Sequence, residues 1–226
     1  MADTSVNSDG PSNTGNLINA VQVVALVSTI GFFIAGSVTC YKIHRQKSVK
    51  NVNFLPFLLT ALNCFLWFMY GVLKEDKLLC VVNGTGCAFQ ILYIFVFVQN
   101  CDKKQIYIRK ILIVIGMAIL IGLMARFGKE NFDVVAILGW IASTVTVLMF
   151  GSPLSTIRIV IQTKNSETIS LPLSIMTVLV SGSWFLYGYL ISDTFVQVPN
   201  CLGVLLGLSQ LYLYNQYSQK SQSIPI

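Results

Sequence analysis

Charge is what this sequence has least of. Asp, Glu, Lys and Arg make up 11% of its 226 residues, while 54% are hydrophobic, far too apolar for an ordinary soluble domain. None of the charges lies well inside a long apolar run. That gap argues against the intramembrane relays, counter-ions and acidic rings used by pumps, proton- or sodium-coupled carriers and ion channels. Histidine is reduced to His44, which sits in a basic loop and reads as solvated or headgroup-facing rather than as a proton relay. The six cysteines (Cys40, Cys64, Cys80, Cys87, Cys101 and Cys201) form no CxxC pair. Most fall in apolar runs, so they read as small packing residues rather than disulfide partners or metal ligands. No nucleotide-binding motif is present, so ATP drives nothing. No cofactor, metal or catalytic residue is expected, and the chain does not read as an enzyme.

What is there instead is a set of seven runs long enough to cross a bilayer: Ile18–Tyr41, Phe54–Leu73, Leu78–Gln99, Ile106–Ala125, Val134–Ile157, Ile169–Ile191 and Phe195–Tyr217. Their length marks helices, since barrel strands need only ~10 alternating residues. Ser, Thr, Asn, Gly and Pro inside them suit helices packed on one another. The net charge of +6 does not point to nucleic acid, because the basic residues segregate by loop. With the first loop in the cytoplasm, the inner loops and tail hold Lys42, Arg45, Lys47, Lys50, Lys103, Lys104, Arg109, Lys110, Arg158, Lys164 and Lys220. The outer loops hold only Lys74, Lys77, Arg126 and Lys129. This bias predicts the N-terminus outside and the C-terminus in the cytoplasm. Residues 1–16, rich in Ser, Asn, Gly and Asp, are expected to form a disordered outer tail. With no basic stretch before the first run, that span is expected to be retained rather than cleaved.

One string recurs at an offset of 117. Trp67-Phe68-x-Tyr70-Gly71 returns as Trp184-Phe185-x-Tyr187-Gly188, Asn83 as Asn200, and Gly86 as Gly203, which marks an internal duplication. Leu55-Pro56-Phe57 is answered by Leu171-Pro172-Leu173, and Gly36-Ser37-Val38 by Gly151-Ser152-Pro153. The fourth run has no counterpart. Two parallel three-helix units need an odd helix between them, because each unit crosses three times. The predicted fold is therefore an all-α membrane protein with seven transmembrane helices, two parallel three-helix bundles joined by a linker helix. The expected boundaries are 1–16 outer tail, 17–101 first repeat, 102–130 linker, 131–217 second repeat and 218–226 cytoplasmic tail.

The polar chemistry left at membrane depth is the repeated Trp and Asn pair. An asparagine amide both donates and accepts, so Asn83 and Asn200 can bridge hydroxyls of a neutral polyol. Trp67 and Trp184 offer flat plates on which the C–H face of a sugar ring stacks. The competing reading makes the tryptophans interface-belt residues and the asparagines helix–helix glue. Tyr70, one turn beyond Trp67, and Asp193, in the turn between spans six and seven, could close the outer side, or be an interface tyrosine and a solvated aspartate. Pro56, Pro153 and Pro172 lie toward the cytoplasmic side and could act as hinges, although Pro56 and Pro172 also suit ordinary helix starts. Taken together, these features fit an uncharged solute moving down its gradient.

These residues resemble the SWEET family of sugar transporters, closest to its animal members, from Ile18 to Tyr217. The resemblance rests on Leu55-Pro56-Phe57, Asn63 to Gly71, Val82-Asn83, Gly151 to Ser155, Ser183 to Gly188 and Pro199-Asn200. It implies facilitated, ion-independent sugar movement by alternating access. It places pocket asparagines on Asn83 and Asn200, pocket tryptophans on Trp184 and Trp67, and an outer gate on Tyr70 and Asp193. Three of four cytoplasmic-side prolines fall on Pro56, Pro153 and Pro172, with Val38 at the fourth position. Two bulky tryptophans leave little room, which favours a monosaccharide such as glucose over a disaccharide. The expected partners are a small neutral sugar and the lipid bilayer, with bundle surfaces open to dimers or trimers. The expected residence is the plasma membrane, with the Golgi or another endomembrane as alternatives. Rival readings are a seven-helix receptor, a proton-coupled exporter of a related two-repeat family and a scaffolding membrane protein.

Overall fold

The computed structural model describes residues 10–50, 52–128 and 133–221. Within them lie nine helices: α1 (Gly10–Ala35), α2 (Ser37–Gln46), α3 (Leu55–Lys74), α4 (Lys77–Gln99), α5 (Lys104–Phe127), α6 (Val134–Met149), α7 (Gly151–Thr163), α8 (Leu171–Leu190) and α9 (Thr194–Ser221). They make seven spans, because α1 with α2 and α6 with α7 are each one broken crossing, Thr14–Gln46 and Val134–Thr163. All seven expected runs are present. Two limits move outward: α1 begins at Gly10, inside the expected outer tail, and α9 runs past 217. Residues 1–9 of that tail, Lys129 of the outer loop and residues 222–226 of the expected cytoplasmic tail lie outside the described residues.

The helices fall into two units. In the first, α1 and α3 each pack on α4; in the second, α6 and α8 each pack on α9. The units meet through α1 against α8 and α3 against α6. The linker α5 touches α3 and α4, and only 6% of its apolar window is buried, as suits a helix that mostly faces lipid.

The duplication extends to the backbone. Among the described residues, four non-glycine residues have left-handed φ: Lys47 and Lys164 end α2 and α7, and Glu75 and Ser192 stand in the turns after α3 and α8. Each pair is again 117 apart. Repeated glycines allow close helix contact. A Cβ on Gly71 would lie 2.8 Å from Leu79 Cβ, and one on Gly188 3.0 Å from the Gln197 nitrogen. Deeper in, Gly86 makes room for Phe33 and Cys64, and Gly203 for Phe150 and Ser181. Gly207 meets Val178 closely, as its spacing from Gly203 predicts.

These contacts also correct one register. Phe33 and Phe150 are equivalent at 117, so Pro153 corresponds to Gly36 rather than to Val38. The shared Gly-Ser dipeptide, offset by 115, is a local coincidence. Pro56 and Pro172 stand in the first turns of α3 and α8, where a missing N–H costs nothing.

Candidate functional site

Between the two units is a cavity of about 90 Å³ lined by Trp67, Asn83, Trp184, Asn200, Thr29 and Thr146, with Leu79, Val82 and Val196. The four residues expected to form a pocket are therefore brought together, two from each half. Among the described residues, no ionisable side chain lines the cavity. Both tryptophans are 7% exposed, which excludes the interface-belt reading for them.

Each tryptophan is held across the interface between the units. The Trp67 indole N–H donates to Thr146 Oγ1 at 3.0 Å, and the Trp184 indole N–H donates to Thr29 Oγ1 at 2.8 Å. Each plate is also backed by the tyrosine one turn further on. Trp67 and Tyr70 meet edge to face at 5.5 Å and 85°, Trp184 and Tyr187 at 5.7 Å and 84°, the geometry that ring quadrupoles favour. The asparagines are less committed. Asn83 Nδ2 donates to Leu79 O at 3.0 Å, and Asn200 Nδ2 to Val196 O at 2.8 Å. Among the described residues, neither carboxamide oxygen has a partner. Each side chain keeps acceptor capacity and one N–H for whatever occupies the cavity.

One end of the cavity is closed by two reciprocal latches. Tyr70 O–H donates to Asp193 Oδ2 at 2.7 Å, and Tyr187 O–H donates to Asp76 Oδ2 at 2.7 Å. The other oxygen of each aspartate caps the following helix: Asp76 Oδ1 accepts from the Leu79 amide, and Asp193 Oδ1 from the Phe195 and Val196 amides. One carboxylate thus satisfies helix-start donors and fastens the opposite unit. Asp193 is 3% exposed and also pairs with Lys74 at 3.4 Å, so its buried charge is compensated. Asp193 is therefore not a solvated loop residue. Its twin Asp76 was hidden in the turn Lys74-Glu75-Asp76-Lys77, whose net charge is zero. The signal that finds it is the offset: Asp76 precedes Asp193 by the same 117 that separates Tyr70 from Tyr187. Thr29 and Thr146 obey the same offset and were hidden as small residues in apolar runs.

At the opposite end is a larger vestibule of about 590 Å³. Pro56 and Pro153 line it together with Ser152, Ser174 and Gln210; Pro172 is not among its lining residues.

A family model described as a sugar efflux transporter for intercellular exchange matches residues 19–105 and 136–222. These segments stand at the offset of 117 that the paired residues obey. The chain is 34% identical over 205 residues to the sugar transporter SWEET1 of Drosophila pseudoobscura pseudoobscura, covering 90% of this chain and 91% of that one. It is 35% identical over 207 residues to the sugar transporter SWEET1 of Homo sapiens, covering 91% and 94%. Among solved structures, a eukaryotic SWEET transporter superimposes with a TM-score of 0.86 at 30% identity, over 92% of this chain and 100% of that chain.

Proposed function

This chain belongs to the SWEET family of sugar transporters, and we propose that it carries a neutral monosaccharide, glucose or a close hexose, as an ion-independent uniporter. The observation that carries the reading is the cavity itself. Two indole plates and two half-used carboxamides face it from symmetry-related positions, without an ionisable group. A hexose ring lays its apolar face on Trp67 or Trp184 while its hydroxyls exchange hydrogen bonds with Asn83 and Asn200. The small volume between two indoles favours one ring over two. Among the described residues, no carboxylate or histidine lines the cavity to bind and release a proton there, which supports the uncoupled reading.

Alternating access supplies the cycle. The Tyr70–Asp193 and Tyr187–Asp76 latches form the closed outer gate, and the vestibule at the proline end is the open inner side. Opening the latches and closing around Pro56, Pro153 and Pro172 would expose the same cavity to the other face. The basic-residue bias supports an orientation with the latch end outside and the C-terminus in the cytoplasm, with the plasma membrane as the proposed residence.

The test is labelled-glucose uptake into liposomes containing only this protein. Native chain should transport, with a rate indifferent to an imposed pH gradient, and Asn83→Ala and Asn200→Ala should each lose nearly all of it. Retained transport in both variants would refute the pocket. Acceleration by a proton gradient would favour a coupled exporter, and absence of any counterflow a receptor. Sucrose uptake matching glucose would refute the preference for a single ring.

A further inference from the structure

Thr29 and Thr146 occupy equivalent positions, but their hydroxyl hydrogens differ in freedom. Thr146 Oγ1 accepts from Trp67 and stands 2.9 Å from two acceptors, Asn63 Oδ1 and Ala142 O. A hydroxyl carries one hydrogen, and here two acceptors compete for it. Thr29 Oγ1 accepts from Trp184, yet among the described residues its hydrogen reaches no acceptor. The nearby Ala25 carbonyl takes its side-chain hydrogen bond from Ser28 instead. The position equivalent to Asn63 is Val180, which has nothing to offer. Thr29 is 8% exposed and lines the cavity. An unspent donor therefore sits at membrane depth with only the cavity's contents to satisfy it, and an unpaired buried donor is costly.

Building on the sugar-transport reading above, we infer that Thr29 is a specificity-determining residue whose hydroxyl donates to one oxygen of the bound sugar, while Thr146 only orients Trp67. The sugar is then read unevenly. The carboxamides on both walls exchange hydrogen bonds with its hydroxyls. The Trp184 wall adds a fixed donor aimed at one oxygen, and the Trp67 wall has no equivalent. An analogue lacking that oxygen leaves the Thr29 hydrogen unpaired, which is how a polar site rejects a deoxy competitor that an apolar one accepts.

The experiment uses the full chain in liposomes and compares uptake of glucose with each of its monodeoxy analogues. Native protein is set beside Thr29→Val, Thr29→Ser and Thr146→Val, each first shown to be monodisperse by size-exclusion chromatography. The native chain should disfavour one monodeoxy analogue by about tenfold. Thr29→Val should abolish that discrimination and Thr29→Ser, which keeps the hydroxyl, should restore it. Thr146→Val should slow all sugars alike and leave their ranking intact. Two results overturn the inference: a native chain indifferent to every deoxy position, or a Thr29→Val variant that keeps the native ranking. In the second case Thr29 is only an anchor for Trp184. A native chain that takes up no hexose at all overturns the transport reading as well.

Discussion

At the scale of single residues, the same bond has different worth in two settings. Asp193 and Asp76 each join a tyrosine hydroxyl to a helix start, but Asp193 is 3% exposed whereas Asp76 is half-buried. Removing Asp193 leaves the Tyr70 hydroxyl, 1% exposed, without a partner. It also uncaps α9. An unsatisfied buried group costs about 1–3 kcal/mol and a lost cap about 1 kcal/mol. Removing Asp76 likewise takes the acceptor from Tyr187, 3% exposed, but Asp76 is itself half-buried, so water can reach the vacated position and the cap is the larger loss. Asp193→Ala should therefore lower the thermal midpoint in detergent clearly more than Asp76→Ala, and reduce glucose uptake more. Equal effects would show the two latches to be energetically equivalent. The pairing of Tyr70 with Asp193 could be framed from the chain alone as one of two options. Choosing between them needed the burial of the carboxylate, which depends on α3 and α9 meeting across the two units.

At the scale of elements, the first and fifth spans break by different means. In α6–α7, Pro153 has no N–H to return to the Met149 carbonyl, so the helix opens there. In α1–α2 the equivalent residue is Gly36, and the break is held from outside. Tyr93 O–H donates to the Phe33 carbonyl at 2.7 Å, and its ring occupies the space of the missing side chain. A Cβ on Gly36 would lie 2.7 Å from Tyr93 Cε2. In the second half the equivalent of Tyr93 is Gln210, which faces the vestibule and accepts from Ser174 at 3.2 Å. A glycine with a tyrosine has been traded for a proline with a glutamine. Gly36→Pro alone should be destabilising, by about 1–3 kcal/mol through overpacking. Adding Tyr93→Gln, which copies the second half, should recover part of that loss, a coupling of roughly 1 kcal/mol in thermal-unfolding measurements. Strict additivity would separate the tyrosine from the hinge. The trade was invisible along the chain because the Gly-Ser dipeptide drew the alignment two residues off, onto Val38.

At the scale of the whole molecule, an odd number of crossings puts the two termini on opposite sides of the membrane, and the loop charges are the basis of the proposed N-outside, C-cytoplasmic orientation. An N-terminal epitope tag should be reached by antibody on intact cells, and a C-terminal tag only after permeabilisation. The reverse pattern would invert the assignment of the latch end to the outside. The 3+1+3 plan was legible because bilayer thickness imposes run length and duplication leaves a fixed offset. The unpaired fourth run was legible as a linker because parity requires it.

What the sequence by itself determined follows from local composition: the number and length of the crossings, their charge-free interiors, the duplication, and the identity of Trp67, Trp184, Asn83 and Asn200 as the main polar side chains left at depth. What the tertiary structure alone decided is who faces whom. Each indole is anchored by a threonine of the opposite unit, and each tyrosine by an aspartate of the opposite unit. Such partners lie 79 to 155 residues apart. Apolar periodicity says which face of a helix turns inward, but not which distant helix meets it. That choice is made by packing, through the close approaches at the paired glycines, and it assigns the latches, the held plates and the Thr29 hydrogen that meets no acceptor among the described residues.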